Sequence, residues 1–487
     1  MKHLVSHLFF AQENMASHAA LHTRKEQITA SRWLLPTIIF AAFAIRMVVV
    51  CFVYRDLPTA EEYLSHPQFG WEMGWIARAL ASGHGFSSPY YPWSGPTAMQ
   101  PPLYPFLLSL VFRLFGIYTV TAGFVMLSIN SLLSSLICIP VYFSAKYSLG
   151  ERGAKATAWL WAFYPFAIYF SAGRVWEYSL TGLLFTTCFC IAQRIHTTTK
   201  PLAWLGWGAL FGLTALSNPS VLSTLPFLWM LAIWKTRQSN RRWLLNGALT
   251  AIAVIAVLTP WTVRNYRALG LLCPVRDNFW LEVYDDNGGD ASLDPSFAHP
   301  NNNPVEMQKW LSMGEPAFLK EKHTQAVDYL HQHPEFMIQK TLRRVLYYWT
   351  GYWSLSAEEL REQPYSPGNI FYVCSITLLM LRGIRRFWRW NRAALWPYLA
   401  LICVFPMTYY VTHPLMDYRQ PIEPAILVLV IAGVIPWRRI RAEGAYEWIG
   451  AEHTAEFAST NDLPSPSPML TRTTISMNLV VKAHDSA

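Results

Sequence analysis

Charge is scarce in this sequence. Only 14% of its 487 residues are Asp, Glu, Lys or Arg, against about 25% in an ordinary soluble domain. Leu, Ile, Phe and Trp take the space, and 53% of the chain is hydrophobic. That shortage argues against a string of soluble domains and for one membrane domain with soluble appendages. A disulfide framework is missing as well. Of the seven cysteines, Cys51, Cys138, Cys188, Cys190, Cys273, Cys374 and Cys403, six lie in or beside apolar runs, so no even, loop-borne set exists. Cys188 and Cys190 are too close for an ordinary bridge, and no His cluster joins them as a metal site. They read as small buried apolar residues. A signal-peptide cleavage site is also lacking. Arg24, Lys25 and Arg32 precede the apolar run 33–53, and no small-residue site follows before Arg55, so the run reads as an uncleaved first span. No internal repeat is visible. The net charge of +9 does not point to nucleic acid, because the basic residues cluster beside apolar runs, as in orientation signals of membrane proteins.

What is present is a series of runs long enough to cross about 30 Å of hydrocarbon. The expected spans are 33–53, 119–145, 156–173, 177–193, 202–218, 219–234, 243–261, 368–381, 393–411 and 421–436. A further run, 102–116, contains Pro105 and Arg113 and is short. Omitting it puts Lys146, Arg152, Lys155, Arg194, Lys200, Lys235, Arg237, Arg241, Arg242, Arg382, Arg385, Arg386, Arg389, Arg392, Arg438, Arg439 and Arg441 on one side. Counting it as a span reverses every later loop and breaks the positive-inside bias. The expectation is therefore a polytopic all-α protein with about ten transmembrane helices and both termini cytoplasmic, in which 102–116 is a juxtamembrane or re-entrant element on the outer side.

The expected layout is a cytoplasmic segment 1–32 and a membrane domain 33–261 with outer loop 54–118. A small, mainly helical extracytoplasmic domain follows at 262–367, then C-terminal spans at 368–436 and a cytoplasmic tail at 437–487. Helix starts are readable in the outer domain. Asn303 is placed to cap a helix with Pro304 at its first position, another helix covers 315–332, and Pro334 opens a third. The Pro/Ser stretch 463–469 marks the tail as disordered.

Chemistry-bearing residues gather on the outer side. The loop 70–86 reads GWEMGWIARALASGHGF, with Trp75, Ile76 and Leu80 on one helical face and Gly83 and Gly85 ending it. Glu72 in its first turn is placed to act as a base, a metal ligand or a clamp on a hydroxyl. The plain alternative is a solvated acid at a helix start. Glu177, which opens the fourth span, has the same two readings. Two carboxylates at one depth would suit a divalent cation, Mg or Mn. The runs TPWTVRNY (259–266) and HPLMDYRQP (413–421) bring Arg264, Arg267, His413 and Arg419 to the outer side. Together they suit a phosphate group, and the alternative is interfacial snorkelling. Asp285, Asp286 and Asp290 form a turn with Gly288 and Gly289 that could bind a cation, although it lacks the calcium-loop spacing.

In this order the motifs resemble the GT-C polytopic glycosyltransferases, bacterial protein O-mannosyltransferases and aminoarabinose transferases in particular. The resemblance runs over roughly residues 30–436. It rests on the uncleaved first span, ASGHGFSSP, GPTA and PPLYP in the first outer loop, the second outer acid, PWTVRNY, and DYRQPIEP near the last span. It implies an enzyme of the inner membrane that moves a sugar from a polyprenyl-phosphate donor to a lipid, glycan or protein acceptor on the outer face. Glu72 is the position matched to the family's outer-loop acid. The family usually has Asp about a turn earlier, where this chain reads Gln68 and Phe69, with Glu61 and Glu62 nearby. Gln100 stands where the aminoarabinose enzymes carry a Lys that contacts the carrier phosphate. Arg78, Arg264 or Arg419 would have to supply that charge, and Tyr104 of PPLYP is counted with them as a substrate- or phosphate-binding residue. Two rivals stand next to the enzyme: a catalytically inactive assembly protein of the same fold, and a polyprenyl-lipid transporter or flippase. Against the latter, polar groups sit in the outer loops and not at mid-membrane, Arg46 excepted.

Overall fold

The computed structural model describes residues 33–53, 69–90, 93–239, 242–288 and 298–436. The expected tail 437–487 lies outside the described residues, as do segment 1–32, Glu61, Glu62, Gln68 and Asp290. No strand occurs among the described residues.

Every expected span falls on helix. The first is α1, Trp33–Val53. After α2, Glu72–Ala81, and α3, Leu103–Phe115, come α4, Val120–Leu136, and α5, Cys138–Ala162. Helix α5 is broken at Gly150, whose φ of 76° is left-handed. There Glu151 gathers Lys146 at 3.0 Å and Lys155 at 3.5 Å. The expected boundary between the second and third spans is thus a glycine break inside one helical stretch. The chain continues through α6, Pro165–Ala172, α7, Tyr178–Arg194, α8, Pro201–Ala215, α9, Leu225–Ser239, and α10, Trp243–Leu269. Between α10 and the last spans stand α11, Phe279–Asn287, α12, Pro304–Met313, α13, Glu315–Gln332, α14, Pro334–Thr350, and α15, Ala357–Glu362. The chain ends its described part in α16, Ser366–Trp390, α17, Arg392–Val404, α18, Met407–Val411, and α19, Glu423–Val434.

Five helical stretches, among them Trp33–Val53, Trp243–Leu269 and Ser366–Trp390, are long and apolar enough to cross a membrane by length and composition. Large apolar side chains on them stand exposed, including Phe40, Ile255, Phe371 and Leu378. That is the surface a protein presents to lipid, where burying apolar area against other protein is unnecessary. The protein is an integral membrane protein. Helix α3, by contrast, has 13 residues and reaches only about 20 Å at 1.5 Å per residue, short of the hydrocarbon thickness.

The caps expected between 300 and 334 are present. The Asn303 side chain accepts from the amides of Val305 and Glu306, and Pro304 and Pro334 open their helices. A separate apolar cluster of Tyr90, Met99, Leu281, Trp310 and Phe318 joins these helices to the loop 86–100. Polar ties reinforce it. The Ala98 amide donates to Glu315 Oε1 at 2.6 Å, the Asp277 amide donates to the Ala98 carbonyl at 3.3 Å, and Trp310 Nε1 donates to the Ser94 carbonyl at 3.0 Å.

Asp277 and Glu315 meet as two carboxyl groups at this joint. Burial pushes Asp277 up to about 6, and burial followed by the Asp277 charge raises Glu315. A carboxyl raised in the folded state stabilises below its unfolded value and loses that contribution as pH climbs through the folded one. Unfolding free energy in detergent should therefore fall by on the order of 2 kcal/mol between about pH 4 and pH 7 at this joint. Asp277→Asn should flatten that slope in a thermal-melt series. An unchanged slope would mean the pair does not share a proton.

Candidate functional site

The site is built where the segment between α1 and α4 meets the chain after α10. Gly70 makes the approach possible. Its φ is 87°, and an added Cβ would lie 2.7 Å from the Val175 carbonyl oxygen. The start of α2 is thereby pressed against the segment that leads into Glu177. Glu72 opens α2 and is 8% exposed. Its Oε1 accepts from Asn301 Nδ2 at 3.3 Å and faces His299 Nε2 at 3.4 Å. Burial raises the Glu72 carboxyl above its ordinary range, and the nearby His299 opposes the rise. A carboxylate so placed is a better proton acceptor near neutral pH than an exposed one.

Glu177 caps the start of α7 and is buried. Its Oε1 accepts from Asn218 Nδ2 at 3.3 Å, while Oε2 has no protein partner. Near both acids is Arg276, a residue that the sequence did not single out. It lies within electrostatic reach of both Glu72 and Glu177. Its Nε donates to Asn278 Oδ1 at 2.5 Å and its Nη2 is 3.6 Å from Glu282 Oε1. At 29% side-chain exposure it is a guanidinium open enough to meet a ligand. One signal was available. It is a basic residue just past an outer span end, the same departure from the orientation bias that drew attention to Arg264.

Beside Arg276 three metal-type ligands converge. Glu282 and Asp286 stand one turn apart on α11, and His413 comes from the turn before α19. His413 Nδ1 is 2.8 Å from Asp286 and 3.6 Å from Glu282, and Nε2 is 2.9 Å from Tyr418 Oη. Their ligand atoms all lie within 4.8 Å of one another. Among the described residues this is the group that could hold a metal, and neither Glu72 nor Glu177 belongs to it. Two carboxylate oxygens and one imidazole nitrogen suit Mn or Zn better than Mg, which prefers oxygen alone. Arg344 and Lys340 donate to the Asp286 carbonyl, each at 2.8 Å, and so fix the end of α11. Asp285 does not turn towards the group. Its side chain accepts from the Ala298 amide at 2.6 Å.

Of the four cations expected around a phosphate, three have separate partners. Arg264 donates to the Thr97 carbonyl at 2.5 Å and to the Phe86 carbonyl, and it lies over the rings of Phe86 and Trp261. It fastens the first outer loop to α10. Arg419 is fully buried, paired with Glu423 and donating to the Tyr348 carbonyl at 3.1 Å. A guanidinium removed from water needs acceptors; these serve Nε and Nη1, and Nη2 has no protein partner. Arg267 is exposed at the end of α10, and His413 sits in the acidic group. Arg78 lies over the rings of Trp75 and Trp93. Tyr104 is buried, and its hydroxyl accepts from Asn130 at 2.9 Å.

Residues 99–261 match the profile of the family described as dolichyl-phosphate-mannose-protein mannosyltransferase. Over that stretch, less than half of the chain, the sequence is similar to a membrane mannosyltransferase family. The matched stretch holds Tyr104 and Glu177 and stops short of Glu72 and Arg276. Comparison with curated proteins found no match. Among solved structures, the chain is similar to the oligosaccharyltransferase AglB from Archaeoglobus fulgidus in complex with an inhibitory peptide and a dolichol-phosphate. They are 14% identical with a TM-score of 0.49, over 90% of this chain and 53% of that one. A second structure of the A. fulgidus oligosaccharyltransferase, tethered with an acceptor peptide, is 14% identical with a TM-score of 0.47, over 82% and 50%. The chain spans about half the length of these oligosaccharyltransferases.

Proposed function

We propose that this protein transfers a sugar from a polyprenyl-phosphate-linked donor to an acceptor hydroxyl of a lipid, glycan or protein on the extracytoplasmic face. The observation that carries this reading is the buried Glu72, held by His299 and Asn301, with Arg276 in reach of it and of Glu177. The family match supports a donor of that kind, a sugar on a lipid phosphate. The basic clusters support the choice of side.

The reaction is a displacement at the anomeric carbon. The acceptor oxygen forms its bond to that carbon as the bond to the phosphate oxygen breaks. The hydroxyl proton passes to the Glu72 carboxylate, and the electron pair of the broken bond leaves on the polyprenyl phosphate. Arg276 is placed to meet that charge by a two-pronged contact. Glu177, with one free oxygen, orients the sugar or the acceptor. A divalent cation at Glu282, Asp286 and His413 would add positive charge on the same side of the site.

The test is transfer from a labelled polyprenyl-phosphate sugar by the purified protein in lipid nanodiscs. Product is expected with one sugar class and one acceptor class. Saturable donor binding without transfer to any acceptor would point to a non-catalytic relative of the fold. Movement of the donor across sealed vesicles without transfer would point to a flippase. Labelling of a cysteine placed next to Arg386 from the outside would overturn the sidedness.

A further inference from the structure

The helix α14 is amphipathic the wrong way round for a helix in water. Two of its cations are turned inward: Lys340 and Arg344 donate to the carbonyl of Asp286. Arg343 donates to the carbonyl of Trp353 at 3.1 Å, just past the helix end. Three of its aliphatic residues point outward. Ile338, Leu342 and Leu346, spaced four apart on one stripe, are 61%, 64% and 45% exposed. A soluble helix places these two kinds of residue in the opposite way. The stripe also changes along its length. Glu335 and Gln339 share the outward face near the N-terminus, and only Leu342 and Leu346 continue it towards the C-terminus.

The C-terminal end of α14 is fixed beside a membrane helix. Thr377 Oγ1 donates to the Trp349 carbonyl at 2.5 Å, and Cys374 Sγ lies 3.6 Å from the Thr350 carbonyl. Thr377 stands eleven residues into α16, whose range begins at Ser366. At 1.5 Å per residue that is about 16 Å along the helix. The last turn of α14 therefore runs alongside the interior of a spanning helix and not alongside its end. The neighbouring outward residues of α16, Phe371 and Leu378, are themselves exposed and apolar. The stripe on α14 and these residues of α16 are alike apolar and exposed.

We infer that α14 dips into the adjoining leaflet of the bilayer, with Leu342 and Leu346 among the acyl chains and Glu335 in the headgroup region or water. The segment between α10 and α16 is thus anchored at two places: by its chain ends and by this helix. Because the inward face of α14 carries Lys340 and Arg344 on the carbonyl that ends α11, the anchor also sets the height of Glu282 and Asp286 above the membrane. The partner is bulk phospholipid. Inward-facing cations and an outward stripe of three aliphatic residues suit acyl chains, which need no shape complementarity.

The unmodified full-length protein tests this in nanodiscs that contain a phospholipid with a photoactivatable carbene precursor on its acyl chain. After illumination and proteolysis, mass spectrometry should find lipid adducts on Ile338, Leu342 or Leu346 at a yield within about threefold of those on Phe371 and Leu378. The exposed residues of α13, such as Lys320 and Thr324, should carry none. Absence of adducts on 338–346 with adducts present on Phe371 would overturn the inference, as would capture of this stripe by a second copy of the chain instead of by lipid. A variant gives the same answer by another route. With Leu342→Lys, protection of the 334–350 amides from hydrogen exchange should fall at least about tenfold in nanodiscs while α13 keeps its own. Equal protection in both proteins would count against lipid burial.

Discussion

Sugar transfer by the Glu72→Gln protein should fall by about 10²- to 10⁴-fold, the range supplied by a positioned proton acceptor. Gln keeps the shape and can still accept from Asn301, so α2 and its packing should survive. The change removes only the negative charge and the basic lone pair. Donor binding should stay within about threefold of wild type, because Arg276 is placed to hold the phosphate and is untouched. The pH profile gives a second check with a defined sign. Burial raises the Glu72 carboxyl above its ordinary range, so activity should be lost as pH drops through that raised value, earlier than an exposed glutamate would dictate. In Glu72→Gln this acid limb should disappear from whatever activity remains. Arg276→Ala, in contrast, should weaken donor binding and transfer together. If Glu72→Gln transfers at the wild-type rate, the base is another group. Glu177, with Oε2 lacking a protein partner, is then the next to change.

This site was only half legible in the sequence. Glu72 and Glu177 stood out because acids at helix starts on an outer surface are visible from hydropathy and sidedness alone. Their burial was not visible. Glu72 owes it to His299 and Asn301, more than two hundred residues later in the chain, and no local pattern announces such a pairing. Arg264 and Arg419 were singled out as cations on the wrong side of the orientation bias, a sound cue with two outcomes. Arg264 met the carbonyls of Thr97 and Phe86, and Arg419 met Glu423. Both are held by acceptors inside the protein. The same cue applied to Arg276, but Asp277 beside it masks a lone positive charge in the sequence. The acidic turn at 285–290 contributes Asp286 to the candidate cation group, while Asp285 turns elsewhere and Asp290 lies outside the described residues. Asp286 joins Glu282, one turn back on the same helix face, and His413 from the far end of the chain.

The helices were easier to read. A hydrophobic run of about 20 residues has few options in lipid other than helix, because every backbone amide must find a partner within the segment. The expected spans accordingly fall on helix. Their edges moved where local chemistry overrode hydropathy. Helix α10 continues past Trp261 to Leu269 and carries Arg264 and Arg267 with it, with Pro260 inside and Gly270 in the left-handed region ending it. Hydropathy stops at the first arginine, but a helix does not. The caps at Asn303, Pro304 and Pro334 were readable because they satisfy orphan amides locally.

Introducing Leu at Gly383 should destroy the pairing of α16 with α19 and cost at least about 3 kcal/mol, the upper end for overpacking a fixed contact. The two helices cross at their glycines. A Cβ added at Gly383 would lie 1.9 Å from the Leu429 carbonyl oxygen, and one added at Gly433 would lie 2.3 Å from that of Leu379. The obstacle in each case is backbone, which cannot rotate aside as a side chain would. Small residues that let two helix backbones touch are the usual means of association in lipid, where no hydrophobic drive separates protein from solvent. The contact has a polar lock one turn on. Arg386 Nη1 donates to the carbonyls of Ala432, Gly433 and Ile435 at 3.1, 2.8 and 2.9 Å, which satisfies the open end of α19 and places a positive charge at its negative pole. Pushing the helices apart at Gly383 would break all three bonds together. The effect should also reach the candidate site, because α19 begins just after the turn that carries His413. Gly383→Leu should therefore lower the melting temperature in detergent by about 10 °C or more and yield mostly aggregate on size exclusion. Gly383→Ala should already fall measurably below wild type. Arg386→Gln, which keeps a donor but loses the charge and two of the bonds, should lie between them. A Gly383→Leu protein that melts within about 2 °C of wild type would show that the two helices do not meet at these glycines.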